Sequence, residues 1–341
     1  MSKPTVHDIA REAGVSLATV DRVINARPGV REKTVAKVQE AIGRLGYVRD
    51  TYAANLARKK EYRFGYVLPE GPSAFVDALR DAIQEADASQ LMDRTALTTI
   101  QVPFHDPHAI VAALRPLAGS GLDGVALMVP ETPQVRDAVA RMKDAGLAIV
   151  AMVSDLPNTR RDHFIGVNSV AAGRTAGLLM GRFTLGEGEI LVVSNSLRSR
   201  DSLERRLGFD QVLAHDFPKL RALPSIEALD NVDRMTGIIE SAFADRPALA
   251  GIYSMESGNA VVVDAMRRCR RRQDLVVIAH ELTPVTREGL FTGDVSAVIT
   301  QNVGHLARSS LRVLRNLCDG APIFDAQERI RIEIVLRENL H

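Results

Sequence analysis

The sequence has little cysteine and few aromatic residues, and both shortages narrow the class of protein. Two cysteines occur in 341 residues, Cys269 and Cys318. Two are too few for a disulfide framework or a zinc cluster, and they indicate a reducing compartment. A secreted protein with one structural bridge stays open as the alternative. Aromatic residues make up 4% with no tryptophan, so Val, Leu, Ile and Ala must form the core.

The sequence also has no membrane-targeting segment that we recognise. No apolar run approaches the roughly 20 residues needed to cross a bilayer. The start, Met-Ser-Lys-Pro, leads directly into an amphipathic segment instead of the apolar stretch of a signal peptide. We therefore expect a cytoplasmic protein that makes no membrane contact.

Catalytic motifs are missing as well. There is no phosphate-binding loop, no dinucleotide-binding glycine motif, no nucleophile elbow and no His-Glu-x-x-His. The eight histidines are scattered, without the Cys/His spacing typical of a metal site. We expect no catalytic residues, no metal and no cofactor. Carboxylates after the predicted strands are compatible with acid–base catalysis, so an enzyme remains an alternative.

Charge divides the chain into two parts. Residues 1–63 contain 13 Lys and Arg against 7 Asp and Glu, whereas the remainder contains 30 against 35. A basic head on a mildly acidic body is expected when only the head binds a polyanion such as DNA.

The head has the pattern of three short helices. Thr5 and Asp8 predict an N-terminal cap, Gly14 a helix end, and Ser16 the cap of a second helix. A third helix is predicted from about Arg31 to Gly46. Apolar residues at helical spacing predict the inward faces. They are Val6, Ile9, Ala10 and Ala13, then Val20, Val23 and Ile24, then Val35, Val38, Ile42 and Leu45.

Helix, tight turn and second helix is the helix-turn-helix arrangement, which exposes the second helix to the DNA major groove. Arg22 suits a bidentate contact with guanine, and Leu17 and Ala18 suit thymine methyls or base edges. Asp21 either accepts from cytosine or repels a phosphate. The hydroxyl and amide side chains suited to phosphate are Thr5, Ser16, Thr19, Asn25, Thr34 and Tyr47. A three-helix bundle used for protein contacts is the alternative.

Residues 5–25, TVHDIAREAGVSLATVDRVIN, and residues 40–47, EAIGRLGY, resemble the head of the lac-repressor/galactose-repressor family. The resemblance runs without gaps to about residue 60. It implies a hinge helix in which Leu56 wedges into the minor groove and Ala53 lets two hinges approach. Leu56 as a packing residue between linker and body is the alternative. Asp21 and Arg49 stand where the family commonly has Ser and Pro, so we expect a different operator.

From about residue 62 the pattern becomes alternating strands and amphipathic helices, which predicts doubly wound parallel sheets. This alternation continues for roughly 280 residues, which is too long for one such unit and indicates two lobes. Eight strands are predicted: Phe64–Leu68, Ala96–Val102, Gly124–Val129, Ala148–Val153, Glu189–Val193, Leu249–Tyr253, Leu275–Ile278 and Val295–Thr300. The predicted helices include Phe75–Ala86, Thr132–Ala145, Ala171–Phe183 and Ala260–Arg271.

The body also resembles the family's sensor, which has a type I periplasmic-binding-protein-like fold. The motifs are 153–157 (VSDLP), 165–177 (IGVNSVAAGRTAG), 204–209 (ERRLGF) and 280–283 (HELT). The resemblance implies that Arg205 and Glu281 grip a small-molecule effector. It places the rest of the pocket at Phe75, Asp155, Ser257, Asn259 and Gln301. A surface salt bridge is the alternative for Arg205. His280-Glu281 replaces the usual aromatic-Asp pair, and Asn168-Ser169 a common Asp-Asn pair.

These observations predict an all-α helix-turn-helix head over residues 1–48, a hinge over 49–61 and an α/β body over 62–341. The first lobe is expected at about 62–157 and 285–318, and the second at about 158–284 and 319–341. We expect a homodimeric transcription regulator, by resemblance a repressor, that binds a two-fold symmetric double-stranded DNA operator. The effector is expected to be a sugar, polyol or sugar acid. A sugar-processing enzyme with a DNA-binding head and a plain sugar-transport protein are the alternatives.

Overall fold

The computed structural model describes residues 4–24, 27–47, 61–89, 94–194, 199–227, 232–255, 259–268 and 275–340. The chain divides into two compact units, residues 1–60 and 61–341. Among the described residues, none of the helices combines the length and the apolar character needed to cross a bilayer.

The first unit contains the three helices that the sequence predicts: α1 (Val6–Ala13), α2 (Leu17–Ile24) and α3 (Glu32–Leu45). Their shared core is small: among the described residues of this unit, the core cluster has four buried side chains, Ile9, Val20, Val38 and Ala41. Val6 was predicted to lie in the apolar stripe but is 38% exposed, because the first turn of α1 falls outside so small a core.

The predicted caps at the start of α1 and between α1 and α2 are present. The backbone N–H of Thr5 donates to Oδ2 of Asp8 at 2.9 Å, and Gly14 ends α1 in the left-handed conformation at φ 66°. The N–H of Thr19 then donates to Oγ of Ser16 at 3.2 Å. Local hydrogen bonding thus fixes both ends of the turn.

The second unit alternates strands and helices. Its strands are β1 (Tyr62–Pro69), β2 (Thr95–Val102), β3 (Gly124–Leu127), β4 (Ala148–Met152), β5 (His163–Ile165), β6 (Glu187–Ser194), β7 (Lys219–Ala222), β8 (Ile226–Glu227), β9 (Leu249–Ser254), β10 (Val276–His280), β11 (Ala297–Gln301) and β12 (Ile332–Val335). Its helices are α4 (Ala74–Ser89), α5 (Pro107–Leu114), α6 (Pro133–Asp144), α7 (Ser169–Phe183), α8 (Arg200–Asp216), α9 (Val232–Asp245), α10 (Asn259–Arg268), α11 (Pro284–Thr292), α12 (Val303–Asp319) and α13 (Asp325–Glu328).

The strands form two sheets, which confirms the two-lobed α/β prediction. The first has the order β2-β1-β3-β4-β5, and the second β12-β11-β10-β9-β6-β7 with β8 against β6. All eight predicted strands are present. The sequence reading missed β5, β7, β8 and β12, which are two to four residues long. Pairing is parallel except that β12 runs antiparallel to β11, so the second sheet is mixed.

The lobes divide the chain differently from the expectation in three places. Residues 319–331 were expected in the second lobe, but Ile330 is buried in the core of the first lobe and Glu328 accepts from Nε of Arg312 on α12 at 2.6 Å. Residues 285–301 were expected in the first lobe, but β11 pairs with β10 in the second sheet. Residues 158–165 were expected in the second lobe, but β5 pairs with β4 in the first sheet. Periodicity identifies a strand without identifying the sheet that it joins, and this explains the errors at β11 and β5.

Both sheets bury apolar side chains on their two faces. The chain passes between the lobes after β5, after β11 and before β12. Strands β4 and β10 occupy matching positions in the two sheets. Strand β4 is the fourth strand from the β2 edge of the first sheet, and β10 is the fourth from the β7 edge of the second, not counting β8. The segments that follow them contain two of the motifs singled out in the sequence, residues 153–157 and 280–283.

Helices α7 and α8 pack unusually closely, and glycines make this contact possible. A Cβ at Gly173 would lie 1.9 Å from the carbonyl oxygen of Arg205, and one at Gly208 would lie 2.0 Å from that of Val170. Two of the sequence motifs, residues 165–177 and 204–209, therefore describe one helix crossing. This crossing fixes the backbone of Arg205.

Candidate functional site

The exposed face of α2 carries the residues predicted to read DNA bases. Leu17 is 43% exposed, and Ala18, Asp21 and Arg22 are exposed as well. The carboxylate of Asp21 accepts from Nη1 of Arg27 at 3.2 Å. This ion pair brings a cation next to the acid that departs from the family pattern. It thereby reduces the repulsion that Asp21 would exert on a phosphate.

Some of the residues predicted to bind phosphate already have local partners. Oγ1 of Thr5 donates to Oδ2 of Asp8 at 2.7 Å, and the hydroxyls of Ser16 and Thr19 are 2.9 Å apart. Thr34 and Tyr47 are half-buried. The predicted DNA contacts at Asn25, Ala53 and Leu56, and the effector contact at Ser257, lie outside the described residues.

In the second lobe, the centre of the predicted effector site is a buried arginine. Arg205 is 2% exposed and projects from α8. Its Nη1 donates to the carbonyl oxygen of Met255 at 2.7 Å, and its Nη2 donates to Oε1 of Glu281 at 3.3 Å. The carboxylate of Asp201, one turn earlier, lies 3.8 Å from Nη1. Arg205 therefore lies inside the lobe and is not a surface salt bridge.

Glu281 joins this arginine to the end of β11. It is 8% exposed; its Oε1 accepts from Nε2 of Gln301 at 3.0 Å, and its Oε2 accepts from Oγ1 of Thr300 at 3.4 Å. Burial raises the pKa of Glu281, and the charge of Arg205 opposes that rise. Arg205, Glu281 and Gln301 thus form one hydrogen-bonded cluster at the carboxyl end of the second sheet. Ligands bind at such ends in α/β folds.

Asn259 lies beside this cluster in a supporting position. Its Nδ2 donates to the carbonyl oxygen of His280 at 2.7 Å, and its Oδ1 accepts from Oγ of Ser254 at 2.7 Å. Both bonds tie the start of α10 to the ends of β9 and β10. Asn259 was expected to touch the effector, but these contacts indicate that it positions the strand ends.

His280 packs under the same cluster in its neutral form. It is 1% exposed, and its Nε2 lies 2.9 Å from the hydroxyl of Tyr253. Burial lowers the pKa of His280 well below its usual value, and the positive charge of Arg205 lowers it further. The folded protein therefore holds an uncharged imidazole next to the buried arginine.

This neutral histidine predicts a loss of stability in mild acid. The unfolded chain binds a proton at His280 near pH 6.5, which the folded chain does not bind until a much lower pH. Stability from this residue is therefore complete above about pH 6.5 and falls as the pH drops. When the pH falls from 7.5 to 5.5, the wild type should lose about 1 kcal/mol more unfolding free energy than His280→Gln loses. Urea denaturation at the two pH values measures this difference.

The control for this prediction is His108→Gln, because His108 is exposed in the first turn of α5. The pH-dependent loss in this variant should match that of the wild type. An equal loss in His280→Gln and the wild type would show that His280 does not remain neutral in the folded state.

The first-lobe residue Asp155 is held by a neighbour that the sequence reading missed. Its two carboxylate oxygens accept from Nε and Nη2 of Arg161 at 2.5 and 2.8 Å. Ser154, between Val153 and Asp155, is 4% exposed. Phe75 lies in the first turn of α4, half-buried against the core of the first lobe. Asp155 is thus neutralised by an arginine and is not a bare carboxylate.

Two strained residues mark the matching strand ends of the lobes. Val153, just after β4, has φ 64°, and Glu281, just after β10, has φ 68°. Left-handed backbone is rare for such residues, above all for β-branched valine, and costs of order 1–3 kcal/mol. Such strain occurs frequently at binding sites. The left-handed conformation turns the chain sharply at the ends of β4 and β10, next to side chains of the predicted site.

Hydrogen bonds join Arg205, Glu281 and Gln301, three of the residues that the sequence assigned to the effector site. Sequence reasoning missed Asp201, Thr300 and Arg161. The four-residue spacing of Asp201 and Arg205 on one helix was a signal that could have identified the first of these. Within the described ranges, no group of three or more His, Cys, Asp or Glu side chains is placed to hold a metal ion.

Two family models match adjacent stretches of the chain. Residues 5–50 match the model for bacterial regulatory proteins of the lacI family. Residues 64–322, more than half of the chain, match the model for a periplasmic binding protein domain. The two matches coincide with the helical head and with the two-lobed body.

Individual proteins that are similar to this chain are also named as regulators or as sugar-binding proteins. Catabolite control protein A of Streptococcus mutans is 32% identical over 162 residues, which are 47% of this chain and 47% of that protein. The match therefore spans about half the length of this relative. A glucose-galactose binding protein of Geobacillus stearothermophilus superposes with a TM-score of 0.74 at 17% identity, over 82% of this chain and 99% of that one. A putative LacI transcriptional regulator of Bacteroides fragilis superposes with a TM-score of 0.71 at 19% identity, over 82% and 98%.

Proposed function

We propose that this chain, which belongs to the lacI family of bacterial regulatory proteins, is a ligand-controlled transcription regulator. It carries a periplasmic binding protein domain behind its helix-turn-helix head. In this proposal the head binds a specific double-stranded operator, and the body binds a small sugar-like molecule that changes the affinity of the head for DNA. The observation that carries the proposal is the combination, in one chain, of an exposed recognition helix and a buried Arg205–Glu281–Gln301 cluster at strand ends.

The geometry of the head supports DNA reading. Helix α2 is capped at its start and keeps Leu17, Asp21 and Arg22 at the surface, while its opposite face packs through Val20. A short helix with this exposure fits the major groove. We propose that two copies bind a palindromic site as a homodimer, because one head covers only half of such a site.

The body supports binding of a small polar molecule. Its relatives by fold include a glucose-galactose binding protein, which favours a sugar or a related polyol as the ligand. Arg205 offers a fork of donors at the ends of the strands, and Phe75 offers an aromatic face for a sugar ring. We propose that the site binds its ligand without converting it, so that the protein acts as a sensor and not as an enzyme.

Selection of duplexes from a randomised DNA pool tests this function. The purified protein should enrich a sequence with approximate two-fold symmetry, and its affinity for that sequence should fall steeply with salt as Lys and Arg release counterions. Sedimentation of the complex should show two chains per duplex. Recovery of a random pool after repeated rounds, or turnover of a bound sugar, would contradict the proposal.

Arg22 should contribute sequence preference at one operator position. Because its guanidinium is exposed on α2 and suits guanine, Arg22→Ala should reduce discrimination at one base pair by about 1–3 kcal/mol. Competition binding against operators with each single base substitution measures this loss.

Arg11→Ala is the matched control, since Arg11 lies on α1 with an 80% exposed side chain next to Asp8. That variant should at most weaken binding to all sequences equally. An unchanged base preference in Arg22→Ala would place α2 in a different register from the one proposed.

A further inference from the structure

The orientation of one buried amide restricts the chemistry of the ligand, given the sensing function proposed above. Nε2 of Gln301 donates to Oε1 of Glu281, which leaves the carbonyl oxygen at the other end of the amide. Oε1 of Gln301 is buried and has no hydrogen-bond partner among the described residues. A buried acceptor without a donor costs about 1–3 kcal/mol. A ligand that brings a hydroxyl to this atom removes that cost.

A second open polar atom lies in the other lobe. Oγ of Ser154 is buried and, in the described part of the chain, also lacks a partner. It directly follows strained Val153, the residue that occupies after β4 the position that Glu281 occupies after β10. Its neighbour Asp155 is already bound by Arg161. Ser154 is therefore the better candidate for the first-lobe contact that the sequence assigned to Asp155. A hydroxyl donates or accepts, as a sugar hydroxyl does.

The charges around these atoms are already balanced. Arg205 lies 3.3 Å from the carboxylate of Glu281 and 3.8 Å from that of Asp201. In the first lobe, Asp155 matches Arg161. Whether Glu281 is charged or protonated, the Arg205 cluster carries no surplus positive charge. An anionic ligand would add a negative charge beside buried carboxylates, which is costly at low dielectric.

We propose that the ligand is an uncharged polyhydroxy compound that donates a hydroxyl hydrogen bond to Oε1 of Gln301, and that the site rejects sugar acids and sugar phosphates. The remaining hydroxyls of a sugar acid or sugar phosphate can also reach this acceptor, so the rejection depends on charge: the anionic group adds a negative charge near the carboxylates of Asp201 and Glu281. A neutral polyol supplies the hydroxyl that Oε1 of Gln301 lacks without adding charge, and Oγ of Ser154 is the proposed contact from the first lobe.

The test compares matched neutral and anionic compounds on the full-length protein. Isothermal titration calorimetry is run with aldohexoses, aldopentoses, alditols and cyclitols, and with the corresponding aldonates, uronates and sugar phosphates. At least one neutral compound should bind, and its anionic counterparts should bind at least about 100-fold more weakly. An anionic compound that binds more tightly than its neutral counterpart would overturn the inference while leaving the sensing function intact. Absence of binding by every compound would overturn both.

A variant isolates the part played by charge. Asp201→Asn removes one carboxylate beside Arg205 and leaves the Arg205–Glu281 contact in place. It should shift the affinity ratio at least about tenfold towards the anionic counterpart. Asp210→Asn is the control, because it makes the same change on α8 at a carboxylate that pairs with Arg206 instead. An unchanged ratio in a folded Asp201→Asn protein, as judged by thermal unfolding, would contradict the charge argument.

Discussion

Replacing Arg205 by alanine should abolish the ligand-dependent change in operator affinity and lower the free energy of unfolding of the body by about 3–5 kcal/mol. The reason is that Arg205 is 2% exposed and faces two carboxylates, Glu281 and Asp201. Its removal leaves buried negative charge without a partner and frees the carbonyl oxygen of Met255. Operator binding should persist in the absence of ligand, because the head folds around a core of its own.

Two further variants separate the ligand contact from the stability effect. Arg205→Lys keeps the positive charge but loses the planar fork, so the protein should retain more stability while ligand affinity falls by about tenfold or more. Arg206→Ala, the next residue on α8, removes an arginine that pairs with Asp210 and should leave the response unchanged. Calorimetry with ligand and anisotropy with labelled operator measure the two effects. A normal response in Arg205→Ala would remove Arg205 from the site.

Gly173→Ala should unfold or severely destabilise the second lobe. The new Cβ would lie 1.9 Å from the carbonyl oxygen of Arg205 and 2.7 Å from its carbonyl carbon. Both are backbone atoms of the facing helix, so a side-chain rotation does not relieve the clash. We expect a loss of at least about 3 kcal/mol in the free energy of unfolding. Ligand affinity should fall as well, because this crossing holds Arg205 in place.

Gly237→Ala is the matched control for that prediction. Gly237 lies within α9, and a Cβ added there would meet no atom of the described residues within 4 Å, so alanine should be neutral or stabilising by up to about 1 kcal/mol. Urea denaturation followed by far-ultraviolet circular dichroism compares the two variants. Equal stability of Gly173→Ala and the wild type would show that α7 and α8 are further apart than described.

Local signals accounted for most of what the sequence predicted correctly. Helix caps are short-range features, so Thr5, Gly14 and Ser16 were identified from their neighbours alone. Buried parallel strands such as β1 and β4 are continuous apolar runs, which makes them conspicuous. Strand β7, Lys219–Ala222, alternates polar and apolar residues over too few positions to be recognised.

Long-range pairing explains what the sequence did not predict. Strand β11 was assigned to the wrong lobe because only its pairing with β10 identifies its sheet. The site shows the same limit: the resemblance pointed to Glu281 and Gln301, but only the structure shows that they are bonded to each other. The Arg161 contact that changes the role of Asp155 was also absent from the motif that drew attention to Asp155.

Ligand bound to the body and operator bound to the head should each change the affinity of the protein for the other. The most direct test is a pair of titrations on the wild-type protein, operator affinity with and without saturating ligand and ligand affinity with and without saturating operator. Each partner should change the dissociation constant of the other, and by the same factor, because linkage is reciprocal. Operator affinity that stays the same with and without a ligand shown to bind the body would contradict it.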